Sequence, residues 1–233
     1  MRAEERVTTS GPLRVAVLGG TQVGKSALTV RYLTKRYIGE YRSDTDMLYR
    51  CVLQVDGAPQ PVEIMDTSAS CQTTSHAHLQ WAEAFVVVYA INDKQSYSQA
   101  ANTLKELNER RPSASVLVLG NKSDLGHLRE VEEVEARTLA LNHSARFSEL
   151  STAESCEDVT DTLDSFMKEV KSQRGVATGN CSGNVSPKQR KMSVTRMLGS
   201  LIGRHSPPPQ PITELIVLDK EERTKLVRSS RQI

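Results

Sequence analysis

The chain has 233 residues, 38% hydrophobic and 25% charged, a balance that supports a packed core and argues against disorder throughout. Its longest apolar run, AFVVVYAI at 84–91, falls far short of the roughly 20 residues a membrane-spanning helix needs. The net charge of +2 hides an asymmetry: residues 173–233 carry a net +7 and residues 1–172 a net −5, so a mildly acidic body precedes a basic tail.

The chain starts MRAEERVTTS, without an apolar signal core or a glycine after Met1. Residues 1–12 therefore read as a flexible N-terminus, and the expected location is cytoplasmic rather than secreted. LRVAVLG (13–19) is a buried-strand run, and KSALTVRYLTKRY (25–37) has helical spacing. Between them GGTQVGKS (19–26) fits G-x-x-x-x-G-K-[ST] and sits where that motif has to sit, between a strand and a helix. Gly19, Gly20 and Gly24 let the backbone wrap phosphates, and amides from Thr21, Gln22, Val23 and Ala27 point toward the anion at the helix start. Lys25 supplies a positive charge to the β- and γ-phosphates, and the Ser26 hydroxyl is a ligand for Mg²⁺.

YRCVLQV (49–55) and PVEIMD (61–66) flank the turn signal DGAP and read as an antiparallel hairpin. Asp66 ends the second of these strands. A fully apolar strand follows at 84–90, then a helix near 95–110, a strand at 115–121, a helix near 130–142, a strand at 145–150 and a helix near 156–171. This β-α-β rhythm argues for a mostly parallel sheet with helices on both faces.

NKSD (121–124) directly follows the strand SVLVLG. A carboxylate at Asp124 accepts two hydrogen bonds from the Watson–Crick edge of guanine, its ring N–H and its amino group; adenine offers no such pair. Lys122 is placed to lie along the base plane, and Asn121 to tie this loop to the phosphate loop. Ligands gather at the C-terminal ends of strands in such sheets.

Beyond residue 173 the pattern gives way to a polar linker, and the tail is expected to be basic and largely disordered. Within it MSVTRMLGSLIG (192–203) spaces Val194, Met197, Leu198, Leu201 and Ile202 on one helical face, with Lys188, Arg190, Lys191, Arg196 and Arg204 around it. Such a segment suits transient contact, through 188–204, with an anionic membrane or a partner groove; packing on its own domain and disorder stay open. Ser193 lies three residues after Arg190 and suits a basophilic kinase. The chain ends SSRQI with no cysteine four residues from the end, so prenylation is not expected. No reader motif or interleaved aromatics accompany the basic charge, so nucleic acid is not an expected partner. Cys51, Cys71, Cys156 and Cys181 lack metal-like or disulfide-like spacing and read as reduced thiols; His76 and His78 form an isolated H-x-H.

Together the phosphate loop, Asp66-Thr67, WAEAFVVVYAINDKQSY (81–97) and NKSD resemble the Ras branch of small GTPases, over residues 13–172. KSALTVRYLTKRYIGEY (25–41) looks most like the group of the Ras-related estrogen-regulated growth inhibitor and its Ras-like relatives. The resemblance implies an α/β P-loop NTPase fold, with a six-stranded mostly parallel sheet and five helices, and a monomer switching between GTP and GDP with Mg²⁺. Asp66 would hold Mg²⁺ through water, with Ser26. Tyr37 would cover the guanine edge, Ser151 would brace Asp124, and the Thr152 amide would meet the guanine carbonyl; Ala153 stands where the family usually has lysine. Effector or regulator proteins would bind through residues 38–49 and 66–80.

Three departures lie on the γ-phosphate side. Asp66-Thr67-Ser68-Ala69-Ser70 stands where the family has D-T-A-G-Q, so Ala69 replaces the glycine that donates to the γ-phosphate and Ser70 the glutamine that orients water. Thr21 and Gln22 occupy positions where Ras has glycines, and a β-branched side chain at Thr21 crowds the catalytic space. Asp44 falls where the family has a Mg²⁺-binding threonine, with Thr45 one residue later. The expected function is a guanine-nucleotide-binding signalling regulator in which Lys25 and, weakly, Ser70 serve a slow hydrolysis; the alternative is a non-enzymatic nucleotide-dependent scaffold.

Overall fold

In the strand AFVVVYA every residue is buried, and successive side chains point to opposite faces, so one strand feeds two cores. A computed structural model describes residues 11–38, 45–68, 76–178 and 214–218. The elements run β1 Leu13–Gly19, α1 Lys25–Thr34, β2 Asp46–Val55, β3 Ala58–Asp66, α2 His76–Trp81, β4 Ala84–Ala90, α3 Lys94–Arg110, β5 Ser115–Asn121, a 3-10 turn Ser123–Leu128, α4 Glu133–Asn142, β6 Arg146–Glu149, α5 Cys156–Thr178 and β7 Glu214–Leu218. The sheet order is β6-β5-β4-β1-β3-β2-β7. Pairings among β1, β3, β4, β5 and β6 are parallel, and β2 runs antiparallel to both its neighbours.

Val86 and Val88 of β4 join Val15, Val17, Leu28, Tyr32, Phe166 and Met167 in the core under α1 and α5. Phe85, Val87 and Tyr89 join Leu18, Tyr97, Leu104 and Leu107 in the core toward α3. Each fully buried side chain of this size contributes about 1.5–3 kcal/mol relative to exposure. α3 starts cleanly because the Asp93 carboxylate accepts the amides of Gln95 and Ser96. No described helix is long and apolar enough to cross a membrane.

All six strands implied by the resemblance are present, and a seventh joins them. The hairpin is longer than its sequence signal. Asp56 and Gly57 both take left-handed φ (55° and 73°), a tight two-residue turn, so β3 starts at Ala58 rather than Pro61. Pro59 and Pro61 hid that start. They are tolerated because β1 meets β3 only from Val62 onward, leaving residues 58–61 with β2 as their sole strand neighbour among the described residues.

The tail boundary also differs. α5 continues to Thr178, and its last turns hold the base of the sheet: Ser115 donates to Gln173 Oε1 at 2.6 Å, and Arg174 donates to the carbonyls of Gly11 and Pro12. Further on, ELIVL (214–218) pairs with β2, from Asp46↔Leu218 to Arg50↔Glu214. Without it, β2 would be an unpaired edge. The amphipathic segment 192–203 lies outside the described residues.

Candidate functional site

The loop from β1 to α1 is shaped by glycines that nothing larger replaces. Gly19 has φ +145°, and a Cβ there would meet the Val88 carbonyl at 2.2 Å. Gly24 has φ +96°, and a Cβ there would meet Asn121 Nδ2 at 2.3 Å. Gln22 is left-handed (φ 56°) without being glycine, a conformation that costs about 1 kcal/mol or more. Gly24 supplies no side-chain cap, so the first amides of α1 are left for an anion. Thr21 and Gln22 are exposed, Gln22 at the cavity described below, while Val23 packs into the core.

Lys25 is buried and donates to the carbonyls of Gly19 (3.0 Å) and Gly20 (2.7 Å). Burial lowers its pKa, and the nearby carboxylates of Asp66 and Asp46 pull it back up. Beside it, burial pushes the Asp66 carboxyl up to about 6, against the hydrogen bond from Ser26 and the Lys25 charge, with Asp46 adding to the rise. Asp66 Oδ1 is buried with no hydrogen-bond partner. A buried carboxylate oxygen lacking a donor, next to a hydroxyl, suits a hard divalent cation. The residues therefore fit Mg²⁺.

Opposite lies the second loop. Asn121 donates from Nδ2 to the Val23 carbonyl at 2.8 Å and accepts at Oδ1 from the Thr152 amide (3.1 Å) and hydroxyl (2.8 Å). One buried side chain thus ties the phosphate loop, the end of β5 and the loop after β6. Around it opens a cavity of about 450 Å³, whose lining includes Gln22, Gly24, Lys25, Ser26, Ala27, Tyr37, Lys122, Asp124, Ser151 and Ala153. Lys122 is left-handed (φ 66°), and Asp124 is exposed to the cavity from the 3-10 turn. Tyr37 stands at the rim with the Arg31 guanidinium 5.9 Å from its ring centre.

Ser151 and Thr152, assigned to the base, make further bonds of their own. The Ser151 hydroxyl accepts the Glu154 amide at 3.2 Å and so caps the turn leading to α5, which leaves its own proton for another acceptor. The Thr152 amide is committed to Asn121, so it is not the free donor for a guanine carbonyl that the resemblance implied.

On the γ-phosphate side, Asp44, Ala69 and Ser70 lie outside the described residues. Thr45 is exposed just before β2. Thr67 anchors the end of β3, with its amide (3.2 Å) and hydroxyl (2.8 Å) both donating to the Val17 carbonyl. Sequence reasoning missed Asp46. This fully buried carboxylate accepts the Ser68 amide at 2.6 Å and lies 2.7 Å from His78 Nε2. His78 is thus held by Asp46 through one ring nitrogen, His76 is exposed, and no group of three metal-type side chains occurs among the described residues. The signal available was an acid in the first position of a half-buried strand, which no local pattern pairs with a histidine 32 residues away.

Residues 14–172 match the Ras family. The chain is 35% identical over 189 residues to Ras-like protein family member 11A of Homo sapiens, covering 76% of this chain and 78% of that protein. It is 33% identical over 193 residues to the Homo sapiens Ras-related and estrogen-regulated growth inhibitor, covering 81% and 96%. It is 40% identical over 157 residues to the Bos taurus Ras-related and estrogen-regulated growth inhibitor-like protein, covering 63% and 77%.

Proposed function

The chain belongs to the Ras family of small GTPases, and from that premise we propose that it binds GTP and GDP with Mg²⁺ and hydrolyses GTP slowly, as a signalling regulator. The Asn121 bridge carries the binding half of this reading: it holds the phosphate loop and the NKSD loop at a fixed separation around one cavity. Asp124 accepts from the guanine edge, Lys122 lies along the base, and Tyr37 covers it. The amides at the start of α1 and the Lys25 ammonium hold the phosphates. Ser26 and Asp66 would hold Mg²⁺, which when bound offsets the negative charge of the β- and γ-phosphates.

Slow turnover follows from the residues facing the γ-phosphate. Ser70 is too short to orient water as a glutamine would, the Ala69 methyl hinders approach of its amide, and Thr21 fills space the reaction needs. The same departures favour a second reading, a nucleotide-dependent scaffold without useful γ-phosphate sensing. Residues 38–49 and 66–80 are the proposed effector or regulator surfaces, 188–204 the proposed contact with anionic membrane or a partner groove, and the proposed setting is cytoplasmic.

Single-turnover hydrolysis of GTP loaded on the purified chain tests the enzyme reading: a rate well below that of Ras is expected, and a Ras-like or faster rate overturns it. Titration with GDP and a non-hydrolysable GTP analogue separates the two readings, equal affinities favouring the scaffold.

A further inference from the structure

The outer edge of β2 is only half used. β3 pairs with β2 along its whole length, from Met47↔Asp66 to Val55↔Ala58. On the opposite side β7 covers Asp46 to Arg50 and stops. The next four residues, Cys51 to Gln54, have no strand partner on that side among the described residues, and only at Val55 is the carbonyl taken again, by Lys171 Nζ at 2.9 Å. Among the described residues β7 has a single neighbour, so its departure breaks one described ladder.

We propose that β7 is an exchangeable strand: residues Glu214–Leu218 occupy the β2 edge as a built-in competitor, and an extended segment of a partner protein gains that edge by displacing them. A competing strand has a starting point, the stretch Cys51–Gln54 that no described strand covers, from which it can pair toward Asp46 and strip β7 away one residue at a time. Main-chain hydrogen bonds supply the affinity of such an added strand, so the partner needs an extended, proline-free segment rich in β-branched and aromatic residues.

The sequence of the occupant fits this role. LIVL (215–218) is the longest uninterrupted apolar run beyond residue 178, it contains no proline, and acid or base flanks it at Glu214, Asp219 and Lys220. A segment of that kind pairs with any free edge it meets and is hazardous if left uncovered. Because it belongs to the same chain, its pairing is intramolecular, and a partner has to exceed its effective concentration to displace it. The covered half of β2 is also the half with consequences. Leu218 pairs with Asp46, whose carboxylate holds the Ser68 amide and His78. Exchange on this edge therefore acts on the strand residue that joins β2 to the loop after β3 and to α2. None of this depends on which nucleotide the cavity takes.

The test uses the full chain and a variant with Ile216→Pro and Val217→Pro. Neighbouring strand amides point to opposite sides, so one of two adjacent prolines always removes a donor to β2. Those amides of Met47–Arg50 that face β7 should exchange with deuterium at least about tenfold faster in the variant, while those facing β3 and those of β1, β4 and β5 stay unchanged. A labelled peptide of residues 212–220, ITELIVLDK, should bind the variant at least about tenfold more tightly than the parent chain and restore β2 protection. A chain lacking 214–233 should behave like the proline variant, which covers the case in which the prolines disturb folding. Equal β2 exchange in parent and variant overturns the proposal. So does peptide binding that is equal in the two or missing from both. Protection that the parent chain loses on dilution also overturns it, since the strand then comes from a second copy.

Discussion

His78 Nε2 lies 2.7 Å from Asp46 Oδ2, with both side chains buried, while Asp46 Oδ1 takes the Ser68 amide. One carboxylate thus joins the start of β2, the segment after β3 and α2. His78→Ala leaves that buried carboxylate oxygen without its ring-nitrogen partner and should destabilise the protein by about 3 kcal/mol in urea unfolding. Asp46→Asn keeps an acceptor for Ser68 and should cost about 1 kcal/mol. A His78→Ala cost no larger than that of Asp46→Asn would show that the pair is not the joint.

Asn121 makes three hydrogen bonds that connect two nucleotide-facing loops. Asn121→Ala should cost about 2 kcal/mol of nucleotide affinity, or about 30-fold faster release of a fluorescent GDP analogue in stopped flow. Unchanged release would mean the loops hold their spacing without it.

Asp66 Oδ1 is buried and lacks a donor, and the burial raises the carboxyl pKa to about 6. Asp66→Asn should weaken Mg²⁺ binding by about 10–100-fold, read as loss of the EDTA effect on GDP release. The same change should raise the melting temperature of the metal-free protein at neutral pH, because it removes a desolvated charge. An unchanged EDTA effect together with a lower melting temperature would make Asp66 a purely structural residue.

Ala69 and Ser70 stand where the family has glycine and glutamine. The double change Ala69→Gly and Ser70→Gln should raise the single-turnover GTP hydrolysis rate by at least about tenfold. Adding Thr21→Gly should raise it further by clearing space beside the phosphates. No acceleration would show that these positions do not limit the hydrolysis rate.

Tyr32 donates its phenol proton to Asp164 Oδ1 at 2.7 Å, and burial, then that bond, pushes the phenol well above its ordinary value of 10. The unfolded chain releases this proton first as pH rises past 10, so stability falls with pH there. Tyr32→Phe should cost about 1 kcal/mol at neutral pH and make the alkaline fall in denaturation midpoint shallower. The buried Tyr89 phenol, shifted the same way, keeps some of that fall in place.

The parts of the molecule legible in the sequence are those specified by neighbours in the chain. β1 and β4 announce themselves as uninterrupted apolar runs. Gly19 to Ser26 carries its own turn chemistry, and Asn121 follows a buried strand, so its reach back to Val23 could be inferred from position. What stayed hidden depends on distant partners. The start of β3 lay behind Pro59 and Pro61, and only the end of β1 at Leu13 shows why they fit. ELIVL is an ordinary short run until β2 offers it an edge. Asp46 and His78 each look like surface residues until the fold brings them together, and the Thr152 amide looked free for a base until Asn121 turned toward it.

The family match stops at residue 172, but α5 does not. Gln173 reaches the first residue of β5, and Arg174 grips the chain just before β1 and pairs with Glu83, just before β4. A chain trimmed to the matched boundary would keep every group that faces the cavity and still lose the cross-brace at the foot of three central strands. Such a fragment would bind by the same contacts and let go sooner, because the strands carrying those contacts would fray from the far end. Faster release of a fluorescent GDP analogue from that fragment than from the full chain is the expected outcome, which would make Gln173 and Arg174 determinants of residence time from the opposite end of the sheet.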